Sequence, residues 1–378
     1  RLTPNGGRHR ANSAADPAPD AAPSMIQGQP RYASAWLDGR VQRPQPGPLQ
    51  RARRWLPAVL LLTVSVASYV SVLALVLLPA AGLSRQEGYD AQLEELSPVV
   101  ALAILLLYHA LAALAAVSFI ATARLAPGHI PLWLFSREPG DQAYFHNVLQ
   151  AVEKKLDGSL RFCRKCGAFK PDRAHHSHEL GMCVLAYQHW GLHCNNAIGF
   201  YNYKAYLLAL LYTGALHLLT AALFAPGVLA GWAWVDLPDF HPLPWRARAG
   251  APQRVHVAAA ALWWGGSGAE YACAWTNMLV SASIAGCALS WLAFHLAITA
   301  QGLAAPALLR KVGCARNKPP KPPLPRRPFD FGTRGNLIKV FGRHPFLWLL
   351  PTNQGIEGNG IFFEIAASES TESSLFSK

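Results

Sequence analysis

Four long apolar runs interrupt a chain that is otherwise polar and basic. They cover about Leu56 to Ala81, Pro98 to Ala123, Ala205 to Ala230 and Thr276 to Leu303, with almost no Asp, Glu, Lys or Arg inside them. A helix needs about 20 mostly apolar residues to cross a bilayer, because no water is available there to satisfy an open backbone. The pattern therefore predicts four membrane-spanning helices, and a soluble protein with four buried helices of this length is disfavoured. Arg51, Arg53, Arg54 and Trp55 precede the first run as a basic and aromatic interface anchor.

The stretches between these runs divide the chain. Residues 1–54 are rich in Arg, Pro, Ala, Gly and Gln and have few large apolar side chains, so a disordered basic tail is expected. The first residue is Arg1 rather than Met and no apolar run precedes residue 55, so no cleavable signal peptide is expected. Spans one and two fill 55–123, a polar segment 124–204, spans three and four 205–303, and a tail 304–378. The connection from Gly231 to Trp275 holds an apolar patch, Val255 to Trp264, that contains His256 and ends in Trp263 and Trp264. It is too short to span and reads as an interfacial or re-entrant segment. Lys318 to Pro328, KPPKPPLPRRP, reads as a stiff extended spacer.

Composition agrees with a polytopic membrane protein: 52% of the 378 residues are hydrophobic and 15% are charged. The net charge of +13 raises the question of nucleic acid or anionic lipid, and its distribution answers it. The short loop from Gly82 to Ser97 carries Glu87, Asp90, Glu94 and Glu95 against Arg85, whereas Arg124 to Lys204 and the chain after Arg310 are rich in Lys and Arg. By the positive-inside rule both termini and the segment between spans two and three are cytosolic. Membrane lipid is then the expected partner of the positive charge, and nucleic acid is not.

The chemistry concentrates in Arg161 to Lys204, which holds four of the seven cysteines. Cys163 and Cys166 form a C-x2-C pair, followed by His175 or His176 and then Cys183, the spacing of a small tetrahedral zinc site. An odd number of cysteines grouped with histidines argues against a secreted disulfide scaffold and for a reduced, cytosol-facing metal site.

The words FCRKCGAFKPDRAHH, MCV and NNAIGFYNYK resemble the cysteine-rich domain of the DHHC protein S-acyltransferases, or palmitoyltransferases. So do PFDFG at Pro328 to Gly332, Asn336 with VFG at Val340 to Gly342, WLLP at Trp348 to Pro351 and the GNG turn at Gly358 to Gly360. The resemblance runs from about residue 55 to 363. It implies an all-α membrane protein of four spans with a small cytosolic zinc domain between spans two and three. It also implies an acyl transfer from palmitoyl-CoA to protein cysteines, by way of a cysteine nucleophile activated by an adjacent histidine. Golgi, endoplasmic reticulum and plasma membrane are all compatible with that.

Residue by residue, the resemblance places the first zinc set on Cys163, Cys166, His176 and Cys183, all present. The second set falls on Ser177, Leu180, Trp190 and Ala197, none of which is a zinc ligand, so one zinc is expected. The Asp-His-His-Cys tetrad falls on Gln188, His189, Trp190 and Gly191, so only His189 survives and the nucleophile position is glycine. Without its second clamp the loop carrying these residues is expected to be disordered. Two smaller signatures are eroded, at Ala126-Pro127-Gly128 and at Ala304 to Ala307.

These departures point to a non-catalytic or accessory family member, a pseudoenzyme whose partners are proteins or acylated proteins. An active S-palmitoyltransferase using Cys194 beside His193, or another subunit's cysteine, is the alternative. A small transporter or channel is a weaker one. Asn195, Asn196, Gly199, Phe200, Asn202 and Tyr203 match the family and read as the entry to the third span. Tyr108, His109, His217 and His295 lie within spans, where ionisable groups are costly, and neutral histidines hydrogen-bonded between helices are expected.

Overall fold

The computed structural model describes residues 48–78, 98–131, 151–155, 157–232, 268–307 and 328–366. The acidic loop, the connection bearing Trp263 and Trp264, the proline-rich spacer and most of the N-terminal tail lie outside them. Helix α1 is Pro48–Val72 and continues as a π-helical turn over Leu73–Leu77; α2 is Pro98–Arg124, α3 Tyr203–Trp232 and α4 Gly268–Ala300. All four are long and apolar enough to cross a membrane, over Ala52–Leu77, Val99–Arg124, Tyr203–Ala225 and Ala272–Ala300. The first helix begins inside the stretch expected to be disordered, because Leu49, Arg51 and Arg53 carry no helix breaker and extend it by about two turns.

Helix α3 is central. In its span 61% of residues are buried, against 17–22% in the other three, so its whole circumference reads apolar while the others present bare leucine and valine faces outward. Polar side chains join the bundle. His217 of α3 bonds Ser65 of α1 at 3.1 Å and Ser281 of α4 at 3.2 Å, and Tyr108 of α2 bonds Thr220 at 2.9 Å. Tyr203 bonds His295 Nδ1 at 3.0 Å and Thr299 at 2.9 Å. These in-span ionisable groups thus meet uncharged partners, as burial in a bilayer demands.

Between α2 and α3 the chain forms a small lobe of three two-stranded antiparallel hairpins. They are β1 (Phe162–Cys163) with β2 (Ala168–Phe169), β3 (His175–Ser177) with β4 (Met182–Val184), and β5 (His189–Gly191) with β6 (Asn196–Ile198). The all-α expectation is therefore corrected here. Strands of two or three residues carry no readable alternation, and turns rather than periodicity shape the lobe. Its fold is tied by Asp172, which accepts from the backbone N–H groups of Val152 (3.0 Å) and Glu153 (2.8 Å), and by an Arg161–Glu153 ion pair of 2.7 Å.

The C-terminal segment closes the assembly. Helix α5 (Gly332–Phe341) is followed by a short 3-10 turn, Pro345–Leu347. Asn336 donates to Ala300 O at 2.9 Å, joining α5 to the end of α4. Arg173 of the lobe donates to Gly302 O at 3.2 Å and lies over the rings of Phe329 and Phe363.

Candidate functional site

Two hairpins build the metal cluster. The β1–β2 turn presents Cys163 and Cys166, with Gly167 in the left-handed region (φ +62°) so that the chain can reverse just behind the second thiol. In the β3–β4 hairpin His176 and Cys183 are direct cross-strand partners. His176 Nδ1 lies 3.5 Å from Cys163 Sγ, 3.3 Å from Cys166 Sγ and 3.9 Å from Cys183 Sγ, and all four ligand atoms fall within 4.8 Å of one another. Zinc with sulfur at about 2.3 Å and nitrogen at about 2.0–2.1 Å has ligand–ligand edges of about 3.5–3.8 Å, so the cradle fits that ion. A hydrogen bond from Cys183 above all holds the Cys166 thiol well below the usual range, as a metal-binding thiolate requires. His175 pairs with Val184 and turns its ring toward Tyr187, which leaves His176 as the ligand.

The positions of the second set are filled by other means. Ser177 Oγ donates to Glu179 at 3.1 Å and accepts from Leu180 N at 3.3 Å, and Trp190 and Ala197 are cross-strand partners in β5–β6. The expectation of a disordered loop is thus corrected: hydrogen bonds and a hairpin order it. Among the described residues, Cys163, Cys166, His176 and Cys183 are the group of three or more Cys, His, Asp or Glu close enough to share an ion.

Of the tetrad positions His189, Trp190 and Gly191 form the first strand of that hairpin and Gln188 directly precedes it. Gln188 is buried, donating to Ala186 O at 3.3 Å and accepting from Ala305 N at 3.0 Å. His189 packs among Tyr206, Trp291 and His295, with ring centres 5.2, 5.8 and 5.1 Å away, and its buried Nδ1 has no hydrogen-bond partner among the described residues. Burial, helped by the nearby His295 and His193, pushes its pKa down to about 3, so the ring is neutral.

At Gly191 a side chain would require a neighbour to move. A Cβ built there would meet Cys194 Sγ at 2.5 Å. Cys194 is fully buried, and its thiol faces the carbonyls of Gly191 at 3.5 Å and Asn196 at 3.8 Å. Burial pushes it up to about 11, away from thiolate. The neighbouring His193 stacks on Tyr206 at 5.7 Å, and burial lowers its pKa too.

The eroded signatures still touch this site through backbone atoms. Tyr201 N donates to Pro127 O at 3.3 Å, Leu185 N to Gly128 O at 3.1 Å, and the Ala305 N–H reaches Gln188. Asn196 donates to the carbonyls of Thr122 (3.0 Å), Ala123 (3.3 Å) and Leu125 (2.9 Å). That asparagine therefore closes the C-terminal end of α2 rather than starting α3.

A family model described as DHHC palmitoyltransferase matches residues 157–302, the stretch that runs from the lobe to the end of α4. Over those residues the chain is similar to that family. Probable protein S-acyltransferase 16 of Arabidopsis thaliana is 27% identical over 258 residues, 66% of this chain and 75% of the relative. Probable protein S-acyltransferase 14 of the same plant is 31% identical over 194 residues, 50% of this chain and 61% of that one. Palmitoyltransferase ZDHHC15A of Danio rerio is 28% identical over 238 residues, 59% and 60%. The aligned stretch thus spans about 60% of the length of two of these relatives. With four helices long and apolar enough to cross a membrane, the last two inside the matched stretch, the chain is a multi-pass membrane protein.

Proposed function

We propose that this chain is a non-catalytic member of the palmitoyltransferase family, binding acylated or acyl-accepting proteins at the membrane without forming an acyl-enzyme. The observation that carries this reading is Gly191, whose side-chain space is taken by the buried Cys194 thiol. Covalent acyl transfer needs a sulfur that reaches both a CoA headgroup and a bilayer-buried chain. Glycine supplies none, and Gln188 brings no charge to steady a protonated His189. One zinc held by Cys163, Cys166, His176 and Cys183 keeps the lobe folded in this reading, and zinc there is structural.

Cys194 favours a second reading, because its sulfur sits beside the place that a nucleophile at residue 191 would occupy. Against it stand full burial, a raised pKa and backbone carbonyls as its partners. Incubation of the full chain with a palmitoyl-CoA analogue distinguishes the two. No hydroxylamine-sensitive label is expected; a thioester label abolished by Cys194→Ser makes Cys194 the nucleophile and ends the non-catalytic reading.

The lobe and both termini face the cytosol in this reading, on the loop charges. Glycosylation acceptor sites placed in 82–97 or 231–275 are expected to be modified, and sites beside Lys154 or Lys339 are not. The reverse pattern overturns the orientation.

A further inference from the structure

Among the histidines of the spans His109 stands apart. His217 and His295 bond side chains of neighbouring helices, whereas His109 bonds its own helix: its Nδ1–H donates to Leu105 O, one turn earlier in α2, at 2.8 Å. The expectation of a histidine bonded between helices is thus corrected at this position. A neutral imidazole with its proton on Nδ1 keeps an acceptor lone pair on Nε2. Among the described residues that nitrogen has no partner.

The residue is exposed on the outside of the bundle. The Tyr69 ring of α1 flanks it edge-on, with 5.7 Å between ring centres. Leu106, Ala110 and Ala113, on the same side of α2, are exposed as well, so the face around the imidazole is open. Its depth follows from the span, which runs over Val99–Arg124. At about 1.5 Å per residue the middle of that span lies only about 4 Å along the axis from the Cα of His109, in a hydrocarbon layer roughly 30 Å thick.

We infer that the α2 face around His109 docks a membrane-spanning helix of another protein, one that brings a hydroxyl or amide N–H to Nε2 at mid-membrane. Ionisable side chains within spans are costly and face protein or a watery cavity rather than lipid. Water is absent at that depth and acyl chains carry no donor, so lipid alone would leave the lone pair bare. A protein helix is what can bring a donor there, and Ala110 and Ala113 leave room for its backbone to approach. A second copy of this chain fits less well, because two such histidines would meet lone pair to lone pair. The contact is independent of whether any thiol in this chain reacts.

The test uses the full chain in the membranes of cells that express it, with photoreactive benzoylphenylalanine replacing Ala113, one turn from His109, and, in a second protein, Leu279, which is exposed on α4. Irradiation is expected to join residue 113 to a peptide that mass spectrometry places in a membrane-spanning segment of another protein, beside a Ser, Thr, Asn, Gln, Tyr or Trp, several-fold more often than residue 279. His109→Leu is expected to lower that yield several-fold, and His109→Gln, whose amide oxygen still accepts, to keep most of it. Both substitutions leave the bundle intact, because the hydrogen bond of His109 is to its own helix. Lipid adducts alone at 113, or a protein adduct that His109→Leu does not reduce, overturn the inference. So does an adduct to a second copy or to another segment of the same chain, which assigns the face to this protein itself.

Discussion

Cys194 Sγ lies 2.5 Å from the point at which a side chain at Gly191 would begin. The two residues are three apart on one hairpin, so the turn that brings them together is local, and a side chain at residue 191 requires the Cys194 thiol to move. Replacing both ends of the pair is the way to reopen the site.

Gly191→Cys alone is therefore expected to be destabilising by about 1–3 kcal/mol, the usual cost of forcing extra atoms into a filled core. It is also expected to gain no acyl label. Adding Cys194→Ala removes the obstructing sulfur and is expected to recover most of the lost stability. Thermal unfolding of the three proteins in detergent checks this; a single variant as stable as its parent would mean that the hairpin opens freely.

The zinc cradle gives the second prediction. Metal analysis of the purified chain is expected to show one zinc, and Cys166→Ser to abolish it. Binding by four such ligands supplies on the order of 10 kcal/mol, far more than three short hairpins bury for themselves. The variant lobe should then be cut by protease within 161–187 while α1 to α4 stay protected. Two zinc equivalents in the natural protein would contradict the single cradle.

Those two sites differ in how far the sequence reveals them. Each apolar run maps onto a helix to within about a turn or two, because a bilayer leaves little choice of backbone. The C-x2-C spacing identifies Cys163 and Cys166, whereas the hairpin register that sets His176 opposite Cys183 is not readable in strands this short. Cys194 filling the space at Gly191 is not readable, since it depends on the φ of +47° at Asn195 that turns the chain back. Nor is His189 meeting His295, whose rings come from segments more than a hundred residues apart. The hydrogen bonds of His217 to Ser65 and Ser281 likewise belong to helix packing, which a uniformly apolar sequence does not encode position by position.

Asn196 gives the third prediction. Its amide donates to three carbonyls at the end of α2, which that helix cannot satisfy itself. Asn196→Ala removes the donor of Ala123 O and Leu125 O and leaves Thr122 O to Asn202 alone, at an expected cost of about 1–3 kcal/mol. Asn196→Asp should cost more, since it turns a charged acceptor toward the same oxygens. Unfolding temperatures in the order natural, Ala, Asp check this; an unchanged Ala variant would show that water reaches the helix end.

The last prediction concerns pH. Burial first, then His295 and His193, lowers the pKa of His189 to about 3. Unfolded, the same imidazole titrates near 6.5. Between those values the unfolded chain holds a proton that the folded chain refuses, so stability is complete above about pH 6.5 and falls as the pH drops toward 3. His193, also lowered by burial, adds to the fall with the same sign. Asp157 and Glu364 have depressed pKa values, whereas burial raises that of Asp172, so it is the difference between the natural protein and a His189 variant, not the slope alone, that isolates His189. The groups around His189 are His295 on α4, Tyr206 on α3 and His193 on its own hairpin; none is anionic in this range, so none favours the protonated ring. Unfolding temperature is expected to decline as the pH is lowered through this range, and His189→Gln to flatten the decline by up to roughly 1 kcal/mol per pH unit. An identical slope in the variant would mean that His189 takes up its proton in the folded protein, as a solvent-linked base would.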